Sequence, residues 1–316
     1  MDRVIDALLF QAGYNAAVVA IGATLLGVGA GAIGSFLFLR RRALVADAVA
    51  HAALPGLATA FLLAVTLGLD GRNLVVLMFG ALCGGALGLA VIEGITRATR
   101  LGEDVAIGAV ISVFFGFGIV LLTVIQALPF GRQAGLENFL LGSTAGLLTS
   151  DLHLIAAASA VVVAAALILR QPLKIVAFDP AFARAIGIDV VWIDRALLLL
   201  VMAITVIGLR FVGLVLIVAL LIIPAASARF WSNDADRVAL ISAVLGGVAG
   251  YLGVVISLVS PKVPTGPVIV LLAAAMFAVS LVLGTARGLV SRRRRGHPDG
   301  GQAAPSVDDA ARWARR

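Results

Sequence analysis

The chain has 316 residues, of which 61% are hydrophobic and only 13% charged, and its mean hydropathy is +1.11. A soluble domain carries about 25% charged residues because its surface must face water, so lipid is the main solvent here, and a cytosolic enzyme, a disulfide-stapled secreted scaffold and a disordered chain are all excluded. The net charge of +7 does not indicate a nucleic-acid partner, because the basic residues sit between apolar runs and in the tail rather than along one groove.

The first 14 residues hold Asp2, Arg3 and Asp6 and no short apolar run with a small-residue cleavage site. They are expected to be a retained N-terminal segment rather than a cleaved signal. A helix crosses the hydrocarbon core in about 20 residues, and apolar runs of that kind are read at 15–39, 44–66, 73–93, 105–126, 152–169, 194–209, 211–230, 238–260 and 267–286. They are continuously apolar and do not alternate, which excludes a strand barrel. The expected fold is an all-α polytopic bundle of about 8–9 membrane-spanning helices over 15–286. The sixth and seventh runs are short and nearly contiguous, divided around Gly208 and Arg210, and read either as a tight hairpin or as one broken helix. Residues 287–316 begin with Arg292–Arg295 shortly after the last run and then lose apolar periodicity, as expected of a stop-transfer cap and a disordered basic tail.

Lys and Arg favour cytoplasmic loops. If the tail is inside, the inside loops hold Arg40–Arg42, Arg97, Arg100, Arg170, Lys174, Arg184, Arg195, Arg229 and Arg237. The opposite side holds only Arg3, Arg72, Arg132, Arg210 and Lys262. The N-terminus is therefore expected outside and the C-terminus inside. Among the many intramembrane glycines, Gly80, Gly84 and Gly88 recur every four residues, the pattern of a seam where two backbones approach closely; Leu77 is expected on the lipid side. Cys83, the single cysteine, is expected to be a packing residue in the same helix.

Moving a solute needs an energy source, and this chain carries no G-x-x-x-x-G-K-[ST] loop. Its only lysines, Lys174 and Lys262, stand in Leu-Lys-Ile and Pro-Lys-Val. Hydrolase and zinc-protease motifs are missing too, so the chain is read as a non-enzyme with no permanently bound cofactor.

Ionisable groups within a span are costly, and by default they are functional. Asp47-Ala-Val-Ala-His51 in the second run places a carboxylate and an imidazole about 40° apart on one helix face, a donor pair suited to a divalent first-row metal ion. Pro55, one turn on, cannot bond the His51 carbonyl and tends to kink the helix there. The competing interpretation makes Asp47 an interfacial carboxylate near the helix start and His51 a hydrogen-bonding partner of a neighbouring helix. His153, beside Asp151, is read as interfacial.

Between the fifth and sixth runs, Asp179-Pro180 reads as an N-cap followed by proline at the first helical position, and Gly187 as the stop. The short helix between them presents Phe182 and Ile186 on one face and Arg184 on another. It is too short to be stable alone and should dock against something.

Together these segments resemble a known family. Arg41-Arg-Ala-Leu-Val-Ala-Asp-Ala-Val-Ala-His-Ala-Ala-Leu-Pro-Gly56, Phe178-Asp-Pro through Gly187, Gly213-Leu-Val-Leu-Ile-Val-Ala-Leu-Leu-Ile-Ile-Pro-Ala-Ala-Ser-Ala-Arg229 and Pro264-Thr-Gly-Pro267 look like the permease subunits of metal-ion ABC importers, the ABC-3 family handling manganese, zinc and iron(II). The resemblance implies the type II importer fold shared with vitamin B12 and siderophore permeases. It implies two permease copies, identical or not, around one path in a prokaryotic plasma or inner membrane. It further implies a separate ATPase subunit that alone binds ATP, and a metal-loaded solute-binding protein outside. Asp47 and His51 match the residues thought to contact the ion. Phe178, Asp179, Pro180, Phe182, Arg184 and Gly187 match the coupling helix that meets the ATPase. The outer loop 127–151, with Arg132 and Glu137, is the expected docking surface of the binding protein.

Two other functions compete. A permease for metal chelates or siderophores on the same fold needs a wide path and little from Asp47 or His51. A secondary transporter driven by ions or protons should show inverted repeats, and no internal repeat is evident.

Overall fold

The computed structural model describes residues 14–69, 71, 73–128, 149–259 and 263–290. All their regular structure is helical: α1 (Tyr14–Leu39), α2 (Ala43–Thr66), α3 (Leu74–Ala98), α4 (Glu103–Ala127), α5 (Thr149–Ile168), α6 (Arg170–Phe178), α7 (Pro180–Ala185), α8 (Val190–Val212), α9 (Leu214–Ala228), α10 (Ala235–Val259) and α11 (Thr265–Leu283). Eight of these are long and apolar enough to cross a membrane; α9, with 15 residues, is the shorter apolar helix. This matches the expected 8–9 spans: eight helices of full length and one that, at about 1.5 Å per residue, reaches about 22 Å.

The two most buried helices, α1 and α2, organise the bundle. α1 packs chiefly on α10 and also on α5, α8 and α9, while α2 packs on α3 and α4. Both are apolar nearly all round, as helices enclosed by protein and lipid must be, with Asp47 and His51 the only ionisable side chains within α2. Because lipid tails are as apolar as leucine, close packing and hydrogen bonds hold such helices together rather than transfer from water. Ser242 Oγ on α10 accordingly donates to the Gly31 carbonyl of α1 at 2.7 Å.

The glycine repeat in α3 forms the expected seam, and α2 is what it meets. A Cβ at Gly84 would stand 2.5 Å from the Ala52 carbonyl oxygen and 2.9 Å from Gly56 Cα, and one at Gly88 would stand 2.5 Å from Ala52 Cβ. Gly84→Leu is therefore expected to cost about 3 kcal/mol or more, because the obstructing atoms are backbone and cannot rotate away. Thermal unfolding in detergent measures this, with Val75→Leu at an exposed site as the control. A wild-type melting curve for Gly84→Leu would refute the packing role. Leu77 does not serve as a lipid-facing control: it is 4% exposed, buried in the bundle. Cys83 also departs from expectation. It lies exposed, on the wall of a groove between α2, α3 and α4, because the seam rotates the glycine face of α3 inward and the cysteine outward.

The break in the sixth and seventh runs falls at Gly213, not at Gly208–Arg210. Gly213 has φ 83° and ψ 170°, a combination open essentially to glycine alone. A Cβ on Gly208 would sit 2.5 Å from Ile217 side-chain atoms. Residues nine apart along a straight helix would be about 13 Å distant, so the chain doubles back as a hairpin. α8 also starts earlier than the apolar run, at Val190, because Asp189 caps it by accepting from the Val191 and Trp192 amides at 2.9 and 3.1 Å. A further difference is α6, since the stretch 170–178 reads as loop in the sequence. Pro172 falls in its first turn, where proline is tolerated, and Leu173 and Val176 are buried. The first residues of the expected tail are packed too: the Arg287 amide donates to the Phe230 carbonyl at 3.3 Å and the Gly288 amide to the Gly284 carbonyl at 2.9 Å. The N-terminal segment through residue 13, most of the outer loop with Arg132 and Glu137, and the tail from residue 291 lie outside the described residues.

Candidate metal site and coupling helix

α2 brings Asp47 and His51 together as their spacing requires. His51 Nε2 lies 3.4 Å from Asp47 Oδ1, with side-chain exposures of 16% and 31%. That separation is long for a hydrogen bond but suits two donors to one ion: bonds of about 2.1 Å to each atom would subtend about 108°, close to tetrahedral. The partial exposure leaves the pair reachable from one side. His51 Nδ1 is buried and has no hydrogen-bond partner among the described residues. Such a buried orphan is uncommon and needs a physical reason.

Sequence reasoning missed the third member of this neighbourhood. Phe115 of α4 meets the His51 ring in a T-shaped arrangement, with centroids 4.8 Å apart and planes at 79°. Edge-to-face contacts of this kind restrict the ring's orientation. Gly118, one turn along α4, makes the approach possible: a Cβ there would touch Leu54 Cβ at 3.0 Å and Pro55 Cδ at 3.2 Å. Pro55 itself is buried within α2, and its lack of an amide hydrogen leaves the His51 carbonyl without its usual helix bond. The Gly84 seam fixes α2 from the other side. No group of three or more His, Cys, Asp or Glu capable of holding a metal occurs among the described residues, so the described part of one chain offers no further such side chain to complete a shell around this pair. His153 is exposed on α5, away from the pair.

At the arginine-rich end of the bundle, α7 matches its sequence signals. Asp179 Oδ1 accepts from the Ala181 and Phe182 amides at 3.0 and 2.9 Å, Pro180 opens the helix, and Gly187 ends it with φ 84°. Phe178, Phe182 and Ile186 are exposed apolar side chains, and Arg184 is exposed beside them. Phe178, Asp179 and Phe182 line one wall of an open cleft of 370 Å³, with Asn233 and Asp234 opposite. α6 and α7 together make an elbow that is clamped to the bundle. Arg40, at the end of α1, donates through Nε to Asp194 Oδ1 of α8 at 2.9 Å and through a terminal nitrogen to the Val176 carbonyl of α6 at 2.8 Å. Arg42 pairs with Glu103 at 3.1 Å, and Lys174 with Asp236 at 2.6 Å. The turn that holds the elbow thus runs directly into α2, five residues before Asp47.

The sequence profile of the ABC 3 transport family matches residues 14–284. The manganese transport system membrane protein MntC of Bacillus subtilis is 39% identical over 281 residues, which cover 89% of this chain and 63% of that protein. The zinc transport system membrane protein TroC of Treponema pallidum is 39% identical over 285 residues, covering 89% of this chain and 94% of that one. Among solved structures, PsaBC from Streptococcus pneumoniae in complex with a Fab superposes with a TM-score of 0.77 at 31% identity, covering 92% of this chain and 98% of that chain. An inward-facing metal-chelate type ABC transporter shares the fold, with a TM-score of 0.64 at 16% identity. Since the family profile runs from the start of α1 past the end of α11, this membrane-spanning chain belongs to the ABC 3 transport family.

Proposed function

We propose that this chain is the permease subunit of an ABC importer for a divalent transition metal ion, manganese, zinc or iron(II), with Asp47 and His51 as the side chains that hand the ion across the membrane. The observation that carries the proposal is the isolated donor pair: Oδ1 and Nε2 3.4 Å apart on an intramembrane helix, in a family whose relatives are a manganese and a zinc transport system membrane protein. Two donors per chain make an incomplete shell. A second copy presenting the same face would give two oxygens and two nitrogens, enough to replace much of an ion's hydration yet few enough to release it. The pair favours a bare ion over a chelate, whose own ligands already fill the metal's coordination. Carboxylate and imidazole together suit manganese, iron and zinc alike.

The arginine-rich end is assigned to the cytoplasm, with the N-terminus outside and the C-terminus inside. The exposed face of α7 then meets a separate ATPase subunit, which alone binds ATP, and a solute-binding protein delivers the ion from the opposite side. Closure of the ATPase pair would push the elbow, and the Arg40–Asp194 clamp would carry that motion to the start of α2. Proteoliposomes test this reading. With the ATPase subunit and the solute-binding protein, uptake of manganese or zinc should require ATP. Uptake by the permease alone, driven by an ion or proton gradient, would overturn it in favour of a secondary transporter.

A further inference from the structure

The elbow also borders a cavity of 890 Å³, which the transport reading leaves unused. Three arginines line it, Arg41, Arg229 and Arg287, and no acidic residue does among the described residues. The neighbouring carboxylates are engaged elsewhere: Asp194 with Arg40 and Arg42, Glu103 with Arg42, Asp236 with Lys174, Asp234 with Arg237 and the Asp236 amide, and Asp179 with the Ala181 and Phe182 amides. Among the described residues Arg41 alone of the Arg40–Arg42 triplet has no acidic partner.

Two of the three arginines are held in place rather than loose. Arg229 donates to the Ser232 and Asn233 carbonyls at 3.3 and 3.1 Å. Arg287 Nε donates to Asn233 Oδ1 at 3.2 Å, and the turn that carries it is tied to the Phe230 carbonyl by the Ala286 and Arg287 amides at 2.9 and 3.3 Å. Arg41 sits at φ 60°, the only non-glycine residue with a positive φ among the described residues, a conformation that costs energy and so calls for compensation. Burial, and then the adjacent Arg287, hold the Arg229 pKa below the usual arginine value. Positive charges gathered with no counter-charge among the described residues repel one another, and an anion removes that repulsion. The rest of the lining is apolar, with Phe38, Leu39, Leu44, Phe230 and Phe277 prominent.

We propose that this cavity binds the headgroup phosphate of an anionic phospholipid, with Arg41, Arg229 and Arg287 around the phosphate and the aromatic wall against the glycerol and upper acyl chain. Several facts favour a lipid over a soluble anion. The cavity lies at one end of membrane-length helices, where headgroups sit. Its wall is apolar, which a free phosphate would not use. One side is formed by Phe277 of α11, the least enclosed of the eight span-length helices. Basic pockets between helices at this level are recurrent headgroup sites. The site is separate from Asp47 and His51 and does not depend on which metal is carried.

Native mass spectrometry of the intact permease–ATPase complex, titrated with phosphatidylglycerol in phosphatidylcholine-doped micelles, provides the test. Arg41→Gln with Arg287→Gln should bind the lipid about 30-fold more weakly, the loss expected for two headgroup contacts. Arg41→Lys with Arg287→Lys should restore most of it, and Arg237→Gln, outside the cavity, should match wild type. Wild-type lipid binding by the double glutamine variant would overturn the proposal. So would inorganic phosphate alone raising the melting temperature of the complex as much as the lipid does, since that would assign the cavity to a free anion. Loss of the ATPase subunit from the glutamine variant with lipid binding unchanged would make these arginines a protein contact and equally overturn it.

Discussion

Asp47→Asn is expected to abolish metal uptake while leaving the chain inserted, thermally stable and bound to its ATPase. The substitution keeps the shape and one oxygen acceptor of the side chain but removes the charge that draws a divalent cation out of water. If Asp47 were only an interfacial carboxylate near the start of α2, the change would cost a few tenths of a kcal/mol in helix-dipole interaction and transport would continue. The structure sharpens the contrast, because the Asp47 oxygen faces the His51 ring at 3.4 Å rather than an arginine, and the nearby Arg40 and Arg42 are occupied by Asp194 and Glu103. His51→Ala should reduce uptake by more than the roughly 10–100-fold typical of losing an outer-shell partner of a metal ligand, with a changed preference among metals because it deletes the nitrogen donor. The double variant should be little worse than either single one if both side chains serve one ion, since residues acting as a unit are not additive. Radioactive or fluorescent metal uptake into proteoliposomes, with ATP hydrolysis followed in parallel, measures all three. Retained uptake in both single variants would reduce the pair to packing residues.

Much of this arrangement was legible in local signals and much was not, for identifiable reasons. The i,i+4 donor pair, the Asp179 cap with Pro180, and the four-residue glycine repeat are properties of single helices, so periodicity suffices to find them. What the glycines meet is a different matter: Gly84 against Ala52 and Gly56 is a contact between two helices, and the same pattern could have faced a second chain. Leu77 stands seven residues before Gly84 and therefore on the seam's own face, while Cys83 is turned about 100° away from Gly84. The burial of the one and the exposure of the other thus follow from the repeat once its face is known to be packed, although the near-uniform apolarity of the helix carries too little moment to show it. In a soluble helix polar residues would mark the outer face; lipid removes that marker. α6 escaped notice because Arg170, Gln171, Pro172 and Lys174 read as loop, although Leu173 and Val176 supply the buried face. The Arg40–Asp194 clamp joins residues 154 positions apart. Each of the two is explained locally, as positive-inside charge and as an early residue of α8, so nothing in the sequence required them to meet. Phe115 was equally hidden, as one aromatic among several on an apolar helix.

Phe182→Asp is expected to release the ATPase subunit without disturbing the membrane bundle, which separates the coupling surface from the ion path. Phe182 lies on α7, a helix of 6 residues that is capped at both ends yet keeps Phe182 exposed, with Phe178 exposed just before it and Ile186 just after. A helix this short holds its shape through Asp179, Gly187 and burial of Ala183, none of which involves the phenyl ring. An aspartate at 182 therefore leaves the fold intact. In a hydrophobic cleft of a partner, however, an unpaired carboxylate costs several kcal/mol, and each 1.4 kcal/mol is about tenfold in affinity, so binding should weaken by about 100-fold or more. Phe182→Leu, which keeps an apolar side chain, should retain most of the affinity. Co-purification of the ATPase with tagged permease reads the result, alongside a thermal melt of the permease alone. The comparison with Asp47→Asn is what gives the experiment its force. That variant should keep the ATPase and lose the metal, whereas Phe182→Asp should lose the ATPase and with it all ATP-dependent uptake. Undiminished co-purification of Phe182→Asp would mean that the exposed apolar face of α7 serves another contact, and that the route from ATPase to ion path does not run through the Arg40–Asp194 clamp.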